Sequence, residues 1–164
     1  MTNTPFNPDW ASPPGHTIAD LLEERDWSQS QFADRLGYTK KHISQLINGK
    51  APITEDTALR LERVLGSTAR FWINLEVIYR DQMTRLKEKE QLLAWVPWLD
   101  ELPVKELMDQ GVIPKQRLVA QHKPGIVQNL LHFFGVASPE EWQACYGNLE
   151  VSFLTRLHKF GLFL

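Results

Sequence analysis

The segment 39–50 combines hydrogen-bonding side chains with positive charge, as a surface that reads the edges of DNA bases requires. A helix over residues 40–48 would bury Ile43, Leu46 and Ile47 and turn its polar side chains outward. Lysine can donate to guanine O6 and N7, glutamine can bridge adenine N6 and N7, and serine can contact either base. The predicted outward set is Lys40, Lys41, His42, Ser44, Gln45 and Asn48.

Charge and helix starts extend this candidate site beyond the helix itself. No acidic side chain lies between Arg35 and Thr54, whereas that window holds Arg35, Lys40, Lys41 and Lys50. A chain with a net charge of -2 therefore has one locally basic stretch. Gln29 and Thr39 stand at predicted helix starts, where exposed backbone N–H groups favour phosphate, and we add them and Lys50 to the predicted DNA contacts.

The spacing of Ala33, Gly37, Ile43 and Leu46 is typical of a helix-turn-helix. A small residue allows two helices to cross closely, and a glycine takes the positive φ of the turn. The two apolar residues anchor the second helix against the core. A solvated polar helix face would explain the residues of 40–48 alone, but this spacing together with the acid-free window favours DNA binding.

The elements that must position these residues are short capped helices. Four are predicted: from about Thr17 to Asp26, from the Ser28 capping box to Leu36, from the Thr39 N-cap to Asn48, and from the Thr54 N-cap to Leu65. A long fifth helix follows Ser67-Thr68 and extends as far as Ala94. No alternating strand pattern competes with these helices.

The last third of the chain predicts a second helical body. Proline near the start and glycine beyond the end mark three of its short helices. The predicted helices are Pro103–Gln110, Pro114–His122, Pro124–Phe134 and Pro139–Tyr146. The whole is an all-α protein with an extended arm over 1–15, a five-helix DNA-binding domain over 16–80, a connector over 81–95 and a small C-terminal domain over 96–164.

Composition excludes several other classes of protein. Among 164 residues there is one cysteine, Cys145, which rules out an intramolecular disulfide and a thiolate-rich zinc site, and we expect it to be a buried structural thiol. No signal peptide or apolar stretch of about 20 residues is present, so we expect a cytoplasmic protein without a membrane partner. The histidines show no His-Glu-x-x-His pattern, and no catalytic residue, metal site or cofactor is predicted.

The residues that carry the pattern also resemble a known family. Ser28–Gly37 followed by Ile43–Lys50 resembles the helix-turn-helix of phage repressors and the wider XRE group. Further features resemble HigA-type antitoxins over about residues 13–80: Pro14-Gly15, Pro52-Ile53-Thr54, Ala58–Leu61 and Phe71–Leu75. His16 stands where that family usually has glutamate, which changes the local charge.

This resemblance implies a lambda-repressor-like, commonly dimeric repressor that binds its own double-stranded operator and neutralises a RelE-like ribonuclease toxin. The family's DNA-contacting positions correspond to Gln29, Thr39, Lys40, Lys41, Ser44, Gln45 and Asn48. We therefore expect a homodimeric repressor and antitoxin of a HigBA-like system, which is not an enzyme. Dimerisation is also expected because one short recognition helix reads few base pairs.

Two other functions remain open. Residues 81–147 resemble the connector of proteins in which a helix-turn-helix precedes an ImmA/IrrE-type zinc peptidase, and the peptidase itself is absent. The chain could therefore be the regulatory part of a lost or separately encoded peptidase. It could also be a protein-interaction module whose main ligand is a protein.

Overall fold

The computed structural model describes residues 11–147, and all regular structure within that range is helical. This confirms the predicted all-α fold class. Most of the predicted N-terminal arm and the tail from residue 148 lie outside the described residues. The elements are α1 (Pro14–Glu24), α2 (Gln29–Leu36), α3 (Lys40–Ile47), α4 (Glu55–Leu65), α5 (Ala69–Ala94), the 3₁₀ helix η1 (Val96–Glu101), α6 (Val104–Asp109), α7 (Lys123–Phe134) and α8 (Pro139–Tyr146).

The caps predicted from the sequence begin the helices around the candidate site. The Ser28 hydroxyl accepts from Gln31 N at 3.2 Å, while Ser28 N donates to the Gln31 side chain at 2.9 Å, which completes the capping box of α2. The Thr39 and Thr54 hydroxyls accept backbone N–H groups at the starts of α3 and α4. Each cap satisfies an N–H that has no partner within its helix.

The two ends of α1 and one predicted helix differ most from the structure, while α6 and α7 differ from their predicted bounds by at most one residue at either end. α1 begins at Pro14 rather than Thr17, because proline suits the first helical position, and it ends at Glu24 rather than Asp26. The predicted helix Pro114–His122 is wrong, since 114–119 has no regular structure and 120–122 forms a turn. That segment offers only Leu118 and Val119 as large apolar side chains, and both are exposed, so no apolar face could hold a helix against the core.

The described residues form two compact units, with the boundary between Leu86 and Lys87 inside α5. The first unit has its own core from α1 to the start of α5. Trp72 is completely buried there, and its indole N–H donates to Gly66 O at 3.0 Å. The core residues include Ile18, Leu22, Phe32, Ala33, Leu36, Ile43, Leu46, Ile53, Ala58, Leu61, Leu65 and Trp72. These five helices are the lambda-repressor-like domain that the sequence predicts.

Gly15 explains why α1 can lie close to α3. It is buried, and a Cβ built on it would overlap the backbone carbonyl of Ile47 at the end of α3. Only a residue without a side chain permits this approach of two backbones. The dipeptide Pro14-Gly15 therefore fixes both the start of α1 and its distance from α3.

The second unit has a separate aromatic core. The rings of Trp98, Phe134 and Trp142 meet edge to face, with centroids 5.7 to 6.5 Å apart. The expected burial of Cys145 is wrong, because its side chain is exposed. α8 turns Trp142 fully and Tyr146 partly inward, and Cys145, one position before Tyr146, points about 100° away.

Candidate nucleic-acid interface

The helix-turn-helix is formed by α2 and α3, and the four spaced residues take the predicted places. Ala33 and Ile43 are almost completely buried where the two helices pack, and Leu46 is buried beside them. Gly37 ends α2 with φ +72°, a conformation that costs other residues free energy, and Tyr38 N closes the turn on Ala33 O at 3.0 Å. The turn thereby fixes the direction in which α3 leaves α2.

Tyr38 was not among the predicted site residues, but it anchors the turn. Its hydroxyl lies 3.0 Å from Thr57 Oγ1 and 3.3 Å from Asp56 Oδ2, both on α4. Arg60 reinforces this contact by donating to Leu36 O at 2.8 Å and by lying over the Tyr38 ring. An aromatic residue directly after the turn glycine is the sequence signal that could have indicated this role.

The predicted DNA contacts lie on the outer side of α3 and at helix starts. His42 and Gln45 are half-buried, and the others are exposed: Gln29, Thr39, Lys40, Lys41, Ser44, Asn48 and Lys50. Within residues 11–147, none of the three lysines forms an ion pair. Their charges are therefore available to an anionic ligand.

The beginnings of α2 and α3 present backbone donors beside the predicted phosphate contacts. The Thr39 hydroxyl accepts from His42 N at 3.1 Å and keeps its own proton for donation. The N–H groups of Lys40 and Lys41 find no acceptor in the described part of the chain. Such free N–H groups, with the positive end of the helix dipole, favour a phosphate.

His42 and Asn48, both predicted contact residues, also have structural contacts. The His42 ring packs edge to face against Tyr38, with centroids 4.6 Å apart. The Asn48 side-chain amide donates to Ser44 O at 2.7 Å, and this carbonyl also accepts Asn48 N at 3.1 Å, so both groups of Asn48 are tied to the last turn of α3. These two side chains are therefore less free to reorient toward a ligand than Lys40, Lys41 or Gln45.

Residues 11–147 hold four of the five histidines of the chain. That range contains no group of three or more His, Cys, Asp or Glu side chains placed to hold a metal ion. His158 lies outside it. No helix in the described part of the chain is long and apolar enough to span a bilayer.

Comparison with known proteins assigns the family. A profile of the helix-turn-helix family matches residues 18–72, from α1 into the start of α5. The HTH-type transcriptional regulator YddM of Escherichia coli is 35% identical over 63 residues, which are 38% of this chain and 67% of YddM. The chain belongs to the XRE-type helix-turn-helix transcriptional regulators. The profile match ends before the second unit of this regulator begins.

Two further similarities concern proteins named as antitoxins. Antitoxin HigA-1 of Vibrio cholerae is 32% identical over 57 residues, covering 35% of this regulator and 53% of HigA-1. The structure of a HigA-family addiction module antidote protein from Coxiella burnetii is 34% identical and has a TM-score of 0.47. That similarity covers 50% of this regulator and 90% of the antidote protein.

Proposed function

We propose that this regulator represses transcription by binding a specific double-stranded operator through α3. The observation that carries the proposal is the outer side of α3, where exposed polar and cationic side chains stand in a window without acidic residues. Base edges in the major groove offer matching donors and acceptors, and the lysines supply the charge that DNA attracts. The regulator would act in the cytoplasm. If the operator lies beside the gene that encodes the regulator, the regulator represses its own synthesis.

The side chains have different proposed roles in that complex. Lys41 and Gln45 contact base edges because they lie on the face of α3 opposite the buried Ile43, and the exposed Lys40 and Ser44 contact base edges from the start and the flank of the helix. Gln29, Thr39 and Lys50 contact phosphates at the two helix starts and just after the end of α3, while His42 and Asn48 support the edges of this surface.

A comparison of two glutamine variants tests base reading. The preferred duplex is first selected from random DNA with the unaltered protein. Gln45→Ala should lose about 5- to 150-fold affinity for that duplex, equivalent to about 1–3 kcal/mol, and little affinity for random DNA. Gln128→Ala removes an exposed glutamine from α7 and should leave both affinities unchanged. Equal losses on both DNAs for Gln45→Ala would refute the base-reading role.

The proposed biological role is that of an antitoxin, supported by the similarity to HigA-1 of Vibrio cholerae. The partner would be a RelE-like ribonuclease encoded beside this gene, and the regulator would need no enzymatic activity of its own. Co-expression with the neighbouring gene product tests this role. Rescue of growth together with co-purification of the two proteins supports it, and an inert neighbour that does not bind the regulator contradicts it.

A homodimer would allow two recognition helices to read two half-sites. One eight-residue α3 contacts few base pairs, so a two-fold arrangement raises both affinity and specificity. Val77 and Ile78 on α5 are 61% and 55% exposed and provide apolar surface that a second copy would cover. Sedimentation should give a dimer for the unaltered protein and a monomer for Ile78→Asp. A monomeric unaltered protein at micromolar concentration would contradict the dimer.

The second unit favours an additional role as a protein-interaction module. It has its own core from Leu92 to Trp142 and lies beyond the part that the family profile matches. The proposed contacts with base edges all lie on α3 in the first unit, so the second unit is not needed to read the DNA sequence. A protein ligand that binds the full chain and leaves its operator affinity unchanged would support this role, and loss of operator affinity on binding would instead indicate a co-repressor or an antagonist.

A further inference from the structure

A buried carboxylate on α5 holds the loop that follows the recognition helix. Glu76 is only 9% exposed, and Glu76 Oε2 accepts Ile53 N at 3.1 Å. Glu76 Oε1 accepts Arg80 Nε at 2.6 Å. A buried N–H without an acceptor costs free energy, so moving Ile53 N away from the Glu76 carboxylate is unfavourable. The hydrogen bond therefore fixes the position of the backbone at Ile53.

The other end of the same loop is also confined by α5. Gly49 has φ +70°, and a Cβ built on it would lie 2.8 Å from Tyr79 Oη and 2.8 Å from Pro13 Cβ. Tyr79 and Glu76 lie three residues apart on one side of α5. The loop 49–53 is therefore held by one face of α5 at both of its ends.

Lys50 lies between these two contacts. Its N–H donates to Gln45 O at 2.8 Å, and Ala51 N donates to the same carbonyl at 3.1 Å. The backbone of Lys50 is thus tied to the end of α3, while its side chain is exposed and has no ion-pair partner among residues 11–147. A fixed backbone lowers the entropy that is lost when this lysine binds an anion.

We propose that Glu76 is a positioning residue for DNA binding, which holds loop 49–53 so that Lys50 neutralises a DNA phosphate. This inference rests on the proposed operator binding and on its contact between Lys50 and a phosphate, and it makes that contact depend on Glu76 of α5. Glu76 itself does not touch DNA, and its negative charge alone would repel the phosphate backbone. Its contribution to affinity is therefore made through the position of Lys50.

The salt dependence of DNA affinity separates this role from a purely structural one. Each phosphate contact contributes about 0.9 to the slope of log affinity against log salt concentration, because bound counterions are released. Lys50→Ala should reduce the size of that slope by about 0.9. Glu76→Ala should reduce it by the same amount, and the double variant should show no further reduction. Glu76→Gln retains an oxygen acceptor for Ile53 N and loses the acceptor for Arg80 Nε, so it should keep the salt slope of the unaltered protein, because the contact with Ile53 is the one that holds the loop.

Glu62→Ala provides a matched control. Glu62 also accepts a backbone N–H, that of Ala69, and its removal changes the net charge by the same amount. The control should leave the salt slope unchanged. A Glu76→Ala slope equal to that of Glu62→Ala would overturn the positioning role, even if Glu76→Ala were less stable. An unchanged slope for Lys50→Ala would overturn it as well.

If Glu76→Ala does not fold at the assay temperature, Glu76→Asp, which is one methylene shorter and keeps the charge, takes its place with the same expected slope. An unaltered protein that binds no DNA refutes operator binding itself. If the protein binds its operator with a specificity that depends on Gln45, but Glu76→Ala does not reduce the salt slope as Lys50→Ala does, only the positioning role of Glu76 is refuted.

Discussion

Replacing Gly15 by alanine should force α1 away from the end of the recognition helix. The new methyl group would overlap the carbonyl and Cα of Ile47, which are backbone atoms and cannot rotate aside as a side chain would. Overpacking of a core typically costs about 1–3 kcal/mol, and overlap with backbone belongs at the upper end of that range. Alanine regains about 1 kcal/mol through its better helix propensity. The expected net loss is about 2 kcal/mol.

Native-state hydrogen exchange of the α3 amides measures this loss where it occurs. A reduction of about 2 kcal/mol lowers their protection about 30-fold. Gly125→Ala is the matched control, because Gly125 is also helical but a Cβ there meets no atom within 4 Å. It should stabilise the protein slightly. Unchanged or increased protection of α3 in Gly15→Ala would refute the close packing of α1 on α3.

Three other perturbations follow from single contacts. Trp72→Phe removes the indole donor to Gly66 O and should lower the free energy of unfolding by about 2 kcal/mol in urea denaturation, whereas unchanged stability would contradict that contact. Thr54→Ala removes the N-cap of α4 and should cost about 1 kcal/mol in the same assay, and a loss below a few tenths would show that the cap is dispensable. The hydrogen bond from the Ser138 hydroxyl is the main cause that lowers the pKa of the Glu140 carboxyl in the folded protein, so this contact stabilises the fold above the unfolded-state pKa and the stabilisation is lost as pH falls through the folded-state pKa. Ser138→Ala should raise the folded-state pKa of Glu140 in an NMR titration, and an unchanged pKa would exclude this cause.

The helix-turn-helix could be predicted from the sequence because its signals are local. Ser28, Thr39 and Thr54 cap the helices that follow them, and Gly37 marks a turn that requires positive φ. Such signals depend on neighbouring residues and do not need the tertiary fold. The burial of Ile43 follows from helical periodicity for the same reason.

Contacts between distant residues were not predictable in this way. The helix expected at Pro114–His122 had the right first-turn proline, but its two large apolar side chains, Leu118 and Val119, are exposed and do not pack against the core. Glu76 looked like an ordinary charged residue on a long helix, and only the fold brings it to Ile53, 23 positions away in sequence. The half-burial of His42 likewise depends on how the turn places Tyr38.

In vitro selection from a pool of random duplexes tests the central claim most directly, that the outer face of α3 reads DNA sequence. The unaltered protein should enrich one sequence motif. A variant with Lys40, Lys41 and Gln45 all changed to alanine should enrich none, while retaining the helical content of the unaltered protein. Enrichment of the same motif by both proteins, or of no motif by the unaltered protein, would contradict the account.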